Sequence, residues 1–141
     1  MKNIHEVFDE FEERMDKCQG TYNSQLAYAN SRSRLRMITL YQIAQSTKGI
    51  VVGTGNKVED FGVGFYTKYG DGGVDISPIA DLMKSEEWDM GRALGVDERI
   101  IEAEPTDGLW EDGRVDRDQL GGLSYLDLER TMIMDEQDIV P

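Results

Sequence analysis

The chain has 141 residues, enough for one domain or part of one, and 39% of them are hydrophobic. There are 28 Asp and Glu against 15 Lys and Arg, and this net charge of -13 argues against a nucleic-acid-binding protein, which neutralises phosphates with basic side chains. The sequence shows neither a membrane-length apolar run nor a basic-then-apolar leader, and the lone Cys18 favours a reducing cytoplasm.

Two amphipathic helices are predicted in the first third of the chain. Residues 4–17 place apolar side chains at helical spacing, with acidic side chains on the opposite face and Gly20 after the end. Residues 24–46 have the composition of a longer helix. Residues 1–20 are therefore interpreted as an N-terminal amphipathic helix that packs against the rest of the domain.

The longer helix carries a local cluster of positive charge. Its segment Asn30-Ser-Arg-Ser-Arg-Leu-Arg-Met37 has three arginines within five residues. Arg32 and Arg36 are four positions apart and share a helix face, whereas Arg34 points elsewhere. In an acidic chain such a cluster suits a phosphate or carboxylate ligand, and arginines exposed to solvent are the alternative.

A strand is predicted at Gly49–Val52, because an unalternated apolar run is typical of a parallel strand at the centre of a sheet. Residues 56–83 are predicted to be mostly loop with short helical turns, and an acidic tail, residues 135–141, should fray after Met134. A helix is predicted at residues 84–94, where Gly95 stops it, and a second strand at 99–103. A loop at 105–114, a short turn at 116–120 and a last helix at 124–132 follow. The last helix is predicted to bury Tyr125, Leu126, Leu128 and Met132.

This order of elements predicts an α/β fold with a parallel sheet, but two strands are too few to complete such a sheet. The domain is therefore expected either to assemble with a partner or to form part of a larger fold. Apolar surface should then be exposed around Ile50–Val52 and on the first two helices, so the chain alone should self-associate or be marginally stable.

The predicted first strand leads into Gly53-Thr-Gly-Asn-Lys-Val-Glu59, a pattern typical of a polar ligand site at the carboxyl end of a buried strand. The hydroxyl of Thr54 can donate to a ligand oxygen, and Glu59 can face the same cleft. One carboxylate combined with phosphate oxygens and waters is a common Mg²⁺ site, whereas one His and one Cys are too few for zinc. A turn with a surface glutamate is the alternative.

A second glycine-rich segment, Gly72-Gly-Val-Asp-Ile-Ser77, resembles the Ser-Gly-Gly-x-Asp-Ser phosphate loop of ATP pyrophosphatases. In such loops backbone N–H groups and a helix N-terminus hold the pyrophosphate. The segment does not follow directly on a predicted strand. Asp71 stands where the loop has its first serine, and one extra residue is inserted before the final serine. The sequence pattern therefore disfavours a phosphate loop here.

Residues 22–134 closely resemble the C-terminal two-thirds of ammonia-dependent NAD synthetases. The run Thr-Lys-Tyr-Gly-Asp-Gly-Gly followed by Asp-Ile-x-Pro is highly specific for that family. The matching segments are Leu26-Ala-Tyr-Ala-Asn-Ser-Arg-Ser-Arg-Leu-Arg-Met37, Val51-Val-Gly-Thr-Gly-Asn-Lys-Val-Glu-Asp60, Phe65-Tyr-Thr-Lys-Tyr-Gly-Asp-Gly-Gly-Val-Asp-Ile-Ser-Pro-Ile79, Leu82-Met-Lys84 and Glu104-Pro-Thr-Asp-Gly-Leu-Trp-Glu-Asp-Gly-Arg114.

The resemblance implies an adenine-nucleotide-hydrolase-like (ATP-pyrophosphatase, Rossmann-like) three-layer fold and a two-step ligase reaction. ATP and Mg²⁺ adenylate the nicotinate carboxylate of deamido-NAD with release of pyrophosphate, and ammonia then displaces AMP to give NAD. The implied ATP contacts are Thr54, Lys84 and Thr106, the deamido-NAD contacts are Arg34, Lys68 and Asp75, and the Mg²⁺ ligand is Glu59. No acid, base or nucleophile is implied, and Gly72-Gly73 falls on the substrate side.

The sequence also departs from the family pattern. The family's phosphate loop, with its second Mg²⁺ ligand, lies in an N-terminal third that finds no match here, and the family's C-terminal His-Lys segment has no match after Met134. Residues 1–141 are therefore interpreted as a single partial NAD synthetase domain of a split or truncated enzyme, with a separate chain as a possible source of the missing third. Family members pack as dimers through helices, so a homodimer is expected.

Three alternatives remain from the sequence. The chain could be a non-catalytic dinucleotide-binding or assembly module derived from an NAD synthetase. It could also be part of a different ATP-pyrophosphatase amidotransferase, although the density of matching segments disfavours this. A DNA mimic or acidic inhibitor would explain the charge, but glycine-rich loops favour a shaped ligand site over a charged rod.

Overall fold

The computed structural model describes residues 3–18 and 24–137, which are predominantly helical. Its helices, with a π-helical segment between the second and third, are Ile4–Asp16 (α1), Gln25–Thr47 (α2), Val58–Val63 (π-helical), Lys84–Ala93 (α3), Glu98–Ile101 (α4), Asp116–Gln119 (α5) and Tyr125–Glu136 (α6). The four long helices predicted from hydrophobic periodicity are thus confirmed. In the two described ranges, no helix is both long and apolar enough to span a bilayer.

The chain divides into two compact units. Unit 1 comprises Met1–Gly53 and Thr67–Ile76, and unit 2 comprises Thr54–Tyr66 and Ser77–Pro141. All the boundaries between them fall in the long connection from α2 to α3. This connection, which carries most of the predicted site residues, therefore contributes to both units.

Unit 1 is built on the α1–α2 helix pair. The buried ring of Phe8 packs edge-on against Tyr28, with 6.3 Å between ring centroids, and the guanidinium of Arg32 lies 4.3 Å from the Phe8 centroid. The hydroxyl of Tyr28 donates to Asp16 at 2.7 Å, and this hydrogen bond raises the pKa of Tyr28 to about 12. Arg32, the first of the three clustered arginines, therefore stabilises the packing of the two helices.

The predicted strand at Gly49–Val52 is present only as an isolated parallel bridge between Val52 and Ile76. Around the bridge, the N–H of Gly53 donates to the carbonyl of Ile76 at 2.8 Å, and the N–H of Asp75 donates to that of Val51 at 3.0 Å. The predicted parallel sheet is thus not confirmed, since the described residues contain no strand longer than this bridge. The physical reason is that a run of this kind needs neighbouring strands to extend the hydrogen-bond ladder.

Apolar side chains remain exposed in unit 1, as predicted. Ile50 and Val52 are 59% and 51% exposed, whereas Val51 between them is buried. On α1 and α2 the exposed apolar side chains are Val7, Phe11, Leu26, Ile38, Leu40 and Ile43. Self-association of the chain, which this exposure favours, stays a prediction.

Unit 2 has its core where α6 packs against the π-helical segment. Val58 is fully buried and contacts the buried side chains of Tyr125 and Leu128, and the partly buried Met83, Leu120 and Met132 surround them. A Cβ at Gly62 would lie 2.5 Å from the sulfur of Met132, so the glycine allows α6 to approach closely. The segment that follows Thr54 is therefore fixed by the last helix of the chain.

Several local predictions for unit 2 are wrong. Residues 99–103 were expected to form a strand, but Glu98–Ile101 is helix α4, because the side chain of Asp97 accepts a hydrogen bond from the N–H of Arg99 at 2.9 Å and starts a helical turn. Helix α6 continues past Met134 to Glu136, and residues 138–141 of the predicted tail lie outside the described residues. Leu126, expected to be buried, is 44% exposed.

Candidate functional site

The seven predicted site residues separate cleanly between the two units. Unit 1 contains the three residues expected to contact deamido-NAD, and unit 2 contains the four expected to contact ATP or Mg²⁺. These sets are Arg34, Lys68 and Asp75 in unit 1, and Thr54, Glu59, Lys84 and Thr106 in unit 2. Each set can therefore be described as a separate half-site.

The half-site of unit 2 is centred on the ammonium of Lys84, the first residue of α3. Its Nζ lies 3.4 Å from Oε1 of Glu59 and 3.1 Å from Oε2 of Glu87, one turn further along the helix. The side chains of Lys84 and Glu59 are only 13% and 16% exposed. One cation is thus held between two carboxylates in a largely shielded position.

Asn56, which is fully buried, connects these carboxylates. Its side-chain oxygen accepts from the N–H of Glu59 at 3.1 Å, its own N–H donates to Oε2 of Glu59 at 3.3 Å, and its Nδ2 donates to Glu87 at 3.1 Å. The sequence pattern drew attention to Thr54 and Glu59 in this segment and not to this amide. A buried asparagine that satisfies both its donor and its acceptor groups fixes the start of the π-helical segment and the orientation of Glu59.

Tyr125 and Asp116 lie on the other side of Glu59. The hydroxyl of Tyr125 is 2.9 Å from Oε1 of Glu59 and 2.8 Å from Oδ2 of Asp116. Burial is the main cause that raises the pKa of Tyr125, and the negative charge of Glu59 raises it further. Burial also raises the pKa of Asp116. Tyr125 therefore stays protonated and donates. Among the described residues, Oδ1 of Asp116 is buried without a hydrogen-bond partner.

The two predicted threonines lie apart from this cluster. Both are exposed, and no hydrogen bond in the described part of the chain joins Thr54 or Thr106 to Glu59 or Lys84. The hydroxyl of Thr106 donates to the carbonyl of Arg114 at 3.1 Å and accepts from the N–H of a neighbouring glycine. The structure thus brings together two of the four predicted residues of this half-site.

In unit 1, Arg34 and Lys68 are neighbours. The Nε of Arg34 donates to the backbone carbonyl of Lys68 at 3.1 Å, and the ammonium of Lys68 lies 5.1 Å from the ring centroid of Tyr69. Tyr69 adopts a left-handed backbone conformation with φ 63°. The prediction that Arg34 points away from Arg32 agrees with this contact, since Arg32 lies over the ring of Phe8. Both Arg34 and Lys68 are exposed.

Asp75 has a clear internal role in unit 1. One carboxylate oxygen accepts from the N–H of Val51 at 2.8 Å, and the other accepts from the hydroxyl of Tyr41 at 3.2 Å. Burial and this neighbouring carboxylate raise the pKa of Tyr41. Asp75 therefore links the bridge region to α2, and each carboxylate oxygen keeps a further lone pair that can accept from a ligand.

A buried polar network fixes the glycine-rich segment onto α2. The hydroxyl of Ser33 donates to Asp71 at 2.6 Å and accepts from the N–H of Asp71 at 3.0 Å, and Thr67 donates to Asn30 at 2.7 Å. A Cβ at Gly70 would lie only 2.2 Å from the Ser33 hydroxyl oxygen. Glycine at this position is thus required by close approach to α2, not by a bound phosphate.

The half-site of unit 2 fits Mg²⁺ only when oxygen atoms from phosphate groups and water complete the coordination shell. In the described ranges, no three His, Cys, Asp or Glu side chains are grouped so that they could hold a metal ion. Glu59 nevertheless offers a hard carboxylate oxygen in a shielded position, beside a lysine that can neutralise phosphate. A single such ligand suits Mg²⁺ when phosphate oxygens and waters complete the shell.

Sequence comparison finds a matching family model and relatives that are named as NAD synthetases. The family model described as NAD synthase matches residues 1–140. The NH(3)-dependent NAD(+) synthetase of Carboxydothermus hydrogenoformans is 45% identical over 111 residues, which are 79% of this chain and 44% of that protein. The protein of the same name from Methanococcoides burtonii is 42% identical over 130 residues, 92% of this chain and 48% of that protein. The chain therefore spans about half the length of the curated relatives it matches.

Solved structures agree with these relatives. The structure of NMN synthetase from Francisella tularensis has a TM-score of 0.79 at 32% identity and covers 90% of this chain and 50% of that chain. The NH3-dependent NAD synthetase from Campylobacter jejuni, in complex with the nitrate ion, has a TM-score of 0.61 at 30% identity, covering 71% and 41%. With this fold and a family model that matches nearly every residue, the chain belongs to the NAD synthase family.

Proposed function

We propose that this chain forms one part of an NAD synthetase that amidates deamido-NAD with ammonia, using ATP. The observation that carries the proposal is the contact between Lys84 and Glu59, which lie 25 positions apart in the sequence. The family resemblance assigns these two residues to ATP and Mg²⁺. Transfer of AMP to a carboxylate concentrates negative charge, and a shielded site that already holds a cation next to a metal-binding carboxylate suits that chemistry.

In the proposed reaction, a carboxylate oxygen of deamido-NAD bonds to the α-phosphorus of ATP, and the bond from that phosphorus to pyrophosphate breaks. Ammonia then bonds to the acyl carbon, AMP leaves with the oxygen that came from the carboxylate, and the nitrogen loses one proton. Lys84 neutralises phosphate charge, while the hydroxyls of Thr54 and Thr106 donate to phosphate oxygens. Mg²⁺, held through Glu59, supplies further positive charge to the phosphates.

We propose that the contact between Lys84 and Glu59 loosens when ligands bind, since each partner then acquires another counter-charge. Glu87 and Asn56 keep both groups in place while this exchange occurs, because each contacts a different part of the cluster. The pair thus stabilises the site before ligands arrive, and it lowers the cost of keeping a lysine and a glutamate shielded from water.

On the substrate side, we propose that the exposed cations of Arg34 and Lys68 bind the anionic groups of deamido-NAD. We propose that Asp75 accepts from the same substrate through the lone pairs that Tyr41 and the N–H of Val51 leave unused. Asp75 also keeps the bridge region in place beside α2. Its proposed role is therefore partly to shape the substrate pocket.

The proposal includes partners beyond this chain. Because the chain spans about half the length of its relatives, further residues complete the phosphate-binding part of the site, in the same polypeptide or in a separate chain. The exposed apolar side chains on α1 and α2 support a homodimer that packs through these helices. We propose that the reaction takes place in the cytoplasm, a location that the lone free Cys18 favours.

The test is an assay of pyrophosphate release by the chain together with the region that completes it. Release should require both ATP and deamido-NAD, and Lys84→Met should lower the rate by about 10²–10³-fold, the loss typical for removal of one transition-state donor. Lys17→Met is the matched control, because this lysine pairs with Glu13 on the exposed surface of α1. A Lys84→Met enzyme as active as the control would contradict the proposal.

A second candidate substrate is the mononucleotide counterpart of deamido-NAD. The observation that favours it is the similarity to the solved structure named NMN synthetase, which covers 90% of this chain. The same assay with nicotinate mononucleotide in place of deamido-NAD separates the two, because the substrate with the higher kcat/KM is the preferred one. Dinucleotide binding without pyrophosphate release from either substrate would instead support a non-catalytic binding module.

A further inference from the structure

We propose that Tyr125 and Glu129 on α6 are positioning residues that hold Lys84 and Glu59 in the positions from which they bind ATP. This inference rests on the proposed function, since it names residues that support the same half-site. The two side chains are four positions apart on one helix and therefore share a face. Both are only 6% exposed, and both direct polar atoms at residues far away in the sequence.

Tyr125 touches both members of the ion pair. Its hydroxyl is 2.9 Å from Oε1 of Glu59, the same oxygen that faces Lys84, and its ring centroid lies 5.2 Å from the Lys84 ammonium. On its other side the hydroxyl is 2.8 Å from Asp116. Because two carboxylates bracket it, the hydroxyl has little freedom to turn away, and the Glu59 carboxylate is fixed in one orientation.

Glu129 acts on the backbone that carries Lys84. Its two carboxylate oxygens accept hydrogen bonds from the N–H of Ser85 at 2.7 Å and from the hydroxyl of Ser85 at 2.8 Å. Ser85 is the second residue of α3 and directly follows Lys84. A buried carboxylate at the first turn of a helix also interacts favourably with the helix dipole. The first turn of α3 is thus attached to α6 next to the proposed ATP-binding lysine.

Packing alone does not explain these polar residues. Tyr125 packs with Val58 and Leu128 in the apolar core of unit 2, and Glu129 is equally buried on the same helix, so the polar groups of both carry a desolvation penalty. Well-packed apolar side chains in place of buried charged or hydrogen-bonded groups are often neutral or stabilising. The tyrosine hydroxyl and the glutamate carboxylate are therefore better explained by the residues that they orient.

The experiment compares Tyr125→Phe with Tyr28→Phe in the full enzyme, with the region that completes this chain present. Both changes remove a hydroxyl that donates to a carboxylate. The hydroxyl of Tyr125 lies 2.9 Å from Glu59, and that of Tyr28 lies 2.7 Å from Asp16. ATP affinity is measured by calorimetry with Mg²⁺ present, and melting temperature is measured without ligands. We expect Tyr125→Phe to weaken ATP binding about tenfold with little loss of melting temperature, and Tyr28→Phe to leave ATP binding unchanged.

Glu129→Gln and Glu129→Leu provide a second, graded measurement. The glutamine keeps one oxygen that accepts from the N–H of Ser85, so ATP affinity should fall less than in the leucine variant, which keeps none. An equal effect of both variants would contradict the positioning role, as would a loss of ATP binding that simply follows a loss of melting temperature.

Lys84→Met separates this inference from the proposed function. If it weakens ATP binding while Tyr125→Phe does not, only the positioning role is overturned. If Lys84→Met leaves ATP binding unchanged, then the proposed function and the positioning role both fail.

Discussion

The ion pair of the unit 2 half-site leads to a quantitative prediction about stability. Lys84→Met removes the ammonium that pairs with both Glu59 and Glu87 while keeping most of the side-chain volume. It leaves two largely shielded carboxylates without their counter-charge. Glu59→Gln removes one of these charges, and the double variant removes the cation and that carboxylate together.

The magnitude follows from the distances. Charges separated by 3.4 Å and 3.1 Å attract by about 5 kcal/mol each at an effective dielectric constant of about 20. Desolvation of the three groups cancels most of this attraction, but removal of one partner from a buried pair typically costs about 3–5 kcal/mol. Since Lys84 and Glu59 retain 13% and 16% exposure, we expect Lys84→Met to lower the free energy of unfolding by about 2–4 kcal/mol.

The assay is urea unfolding followed by tryptophan fluorescence, which reports on unit 2 because Trp88 and Trp110 both belong to it. In the double variant, the loss should be smaller than the sum of the two single losses by about 1–2 kcal/mol, as expected for residues in contact. Lys17→Met, which removes an exposed pair, should cost less than about 1 kcal/mol. Additive losses, or a Lys84→Met loss no larger than that of Lys17→Met, would refute the reasoning.

Three further changes test other parts of the structure. Gly70→Ala should destabilise unit 1 by about 1–3 kcal/mol in urea unfolding, since the new Cβ would lie 2.2 Å from the Ser33 hydroxyl oxygen. The control Gly49→Ala should be nearly neutral, because the atom nearest to its new Cβ is 3.4 Å away. Burial raises the pKa of Asp116, so its contribution to stability is greatest below its usual pKa of about 4 and falls as the pH rises through the higher pKa of the folded state. Asp116→Asn should therefore gain melting temperature relative to the unmodified protein between pH 4 and pH 7, and a constant difference would contradict this. Ser124→Ala should cost about 1 kcal/mol in urea unfolding, because its side chain accepts a hydrogen bond at the start of α6, and no loss would exclude that cap.

The sequence predicted the helices well and the strands poorly, for a physical reason. Helices such as α1 and α3 are specified by the local spacing of apolar residues and by capping residues. At the end of α3, for example, Gly95 follows the C-cap Leu94 and adopts a φ of 74°, which ends the helix. A strand depends on partners that local sequence does not contain. Gly49–Val52 therefore forms only a bridge, and Ile100 and Ile101 of the second predicted strand join a helix that the capping Asp97 begins.

The candidate site was predictable only in part. Lys84 and Glu59 were identified through family segments, and the structure brings them into contact. Asn56 and Asp116 were missed because their roles depend on contacts made in three dimensions. Tyr125 was expected to be an inward-facing packing residue of the last helix, yet a buried tyrosine hydroxyl needs a hydrogen-bond partner, and that requirement was the available signal.

The most direct test of the account is the fate of oxygen in the proposed adenylation. Deamido-NAD labelled with ¹⁸O in its nicotinate carboxylate is supplied to the completed enzyme with ATP, Mg²⁺ and ammonia, and the AMP is analysed by mass spectrometry. The account predicts one ¹⁸O atom in each AMP, because the carboxylate oxygen that bonds to the α-phosphorus leaves with it. Unlabelled AMP, or label found in inorganic phosphate with ADP as the product, would contradict the proposed reaction.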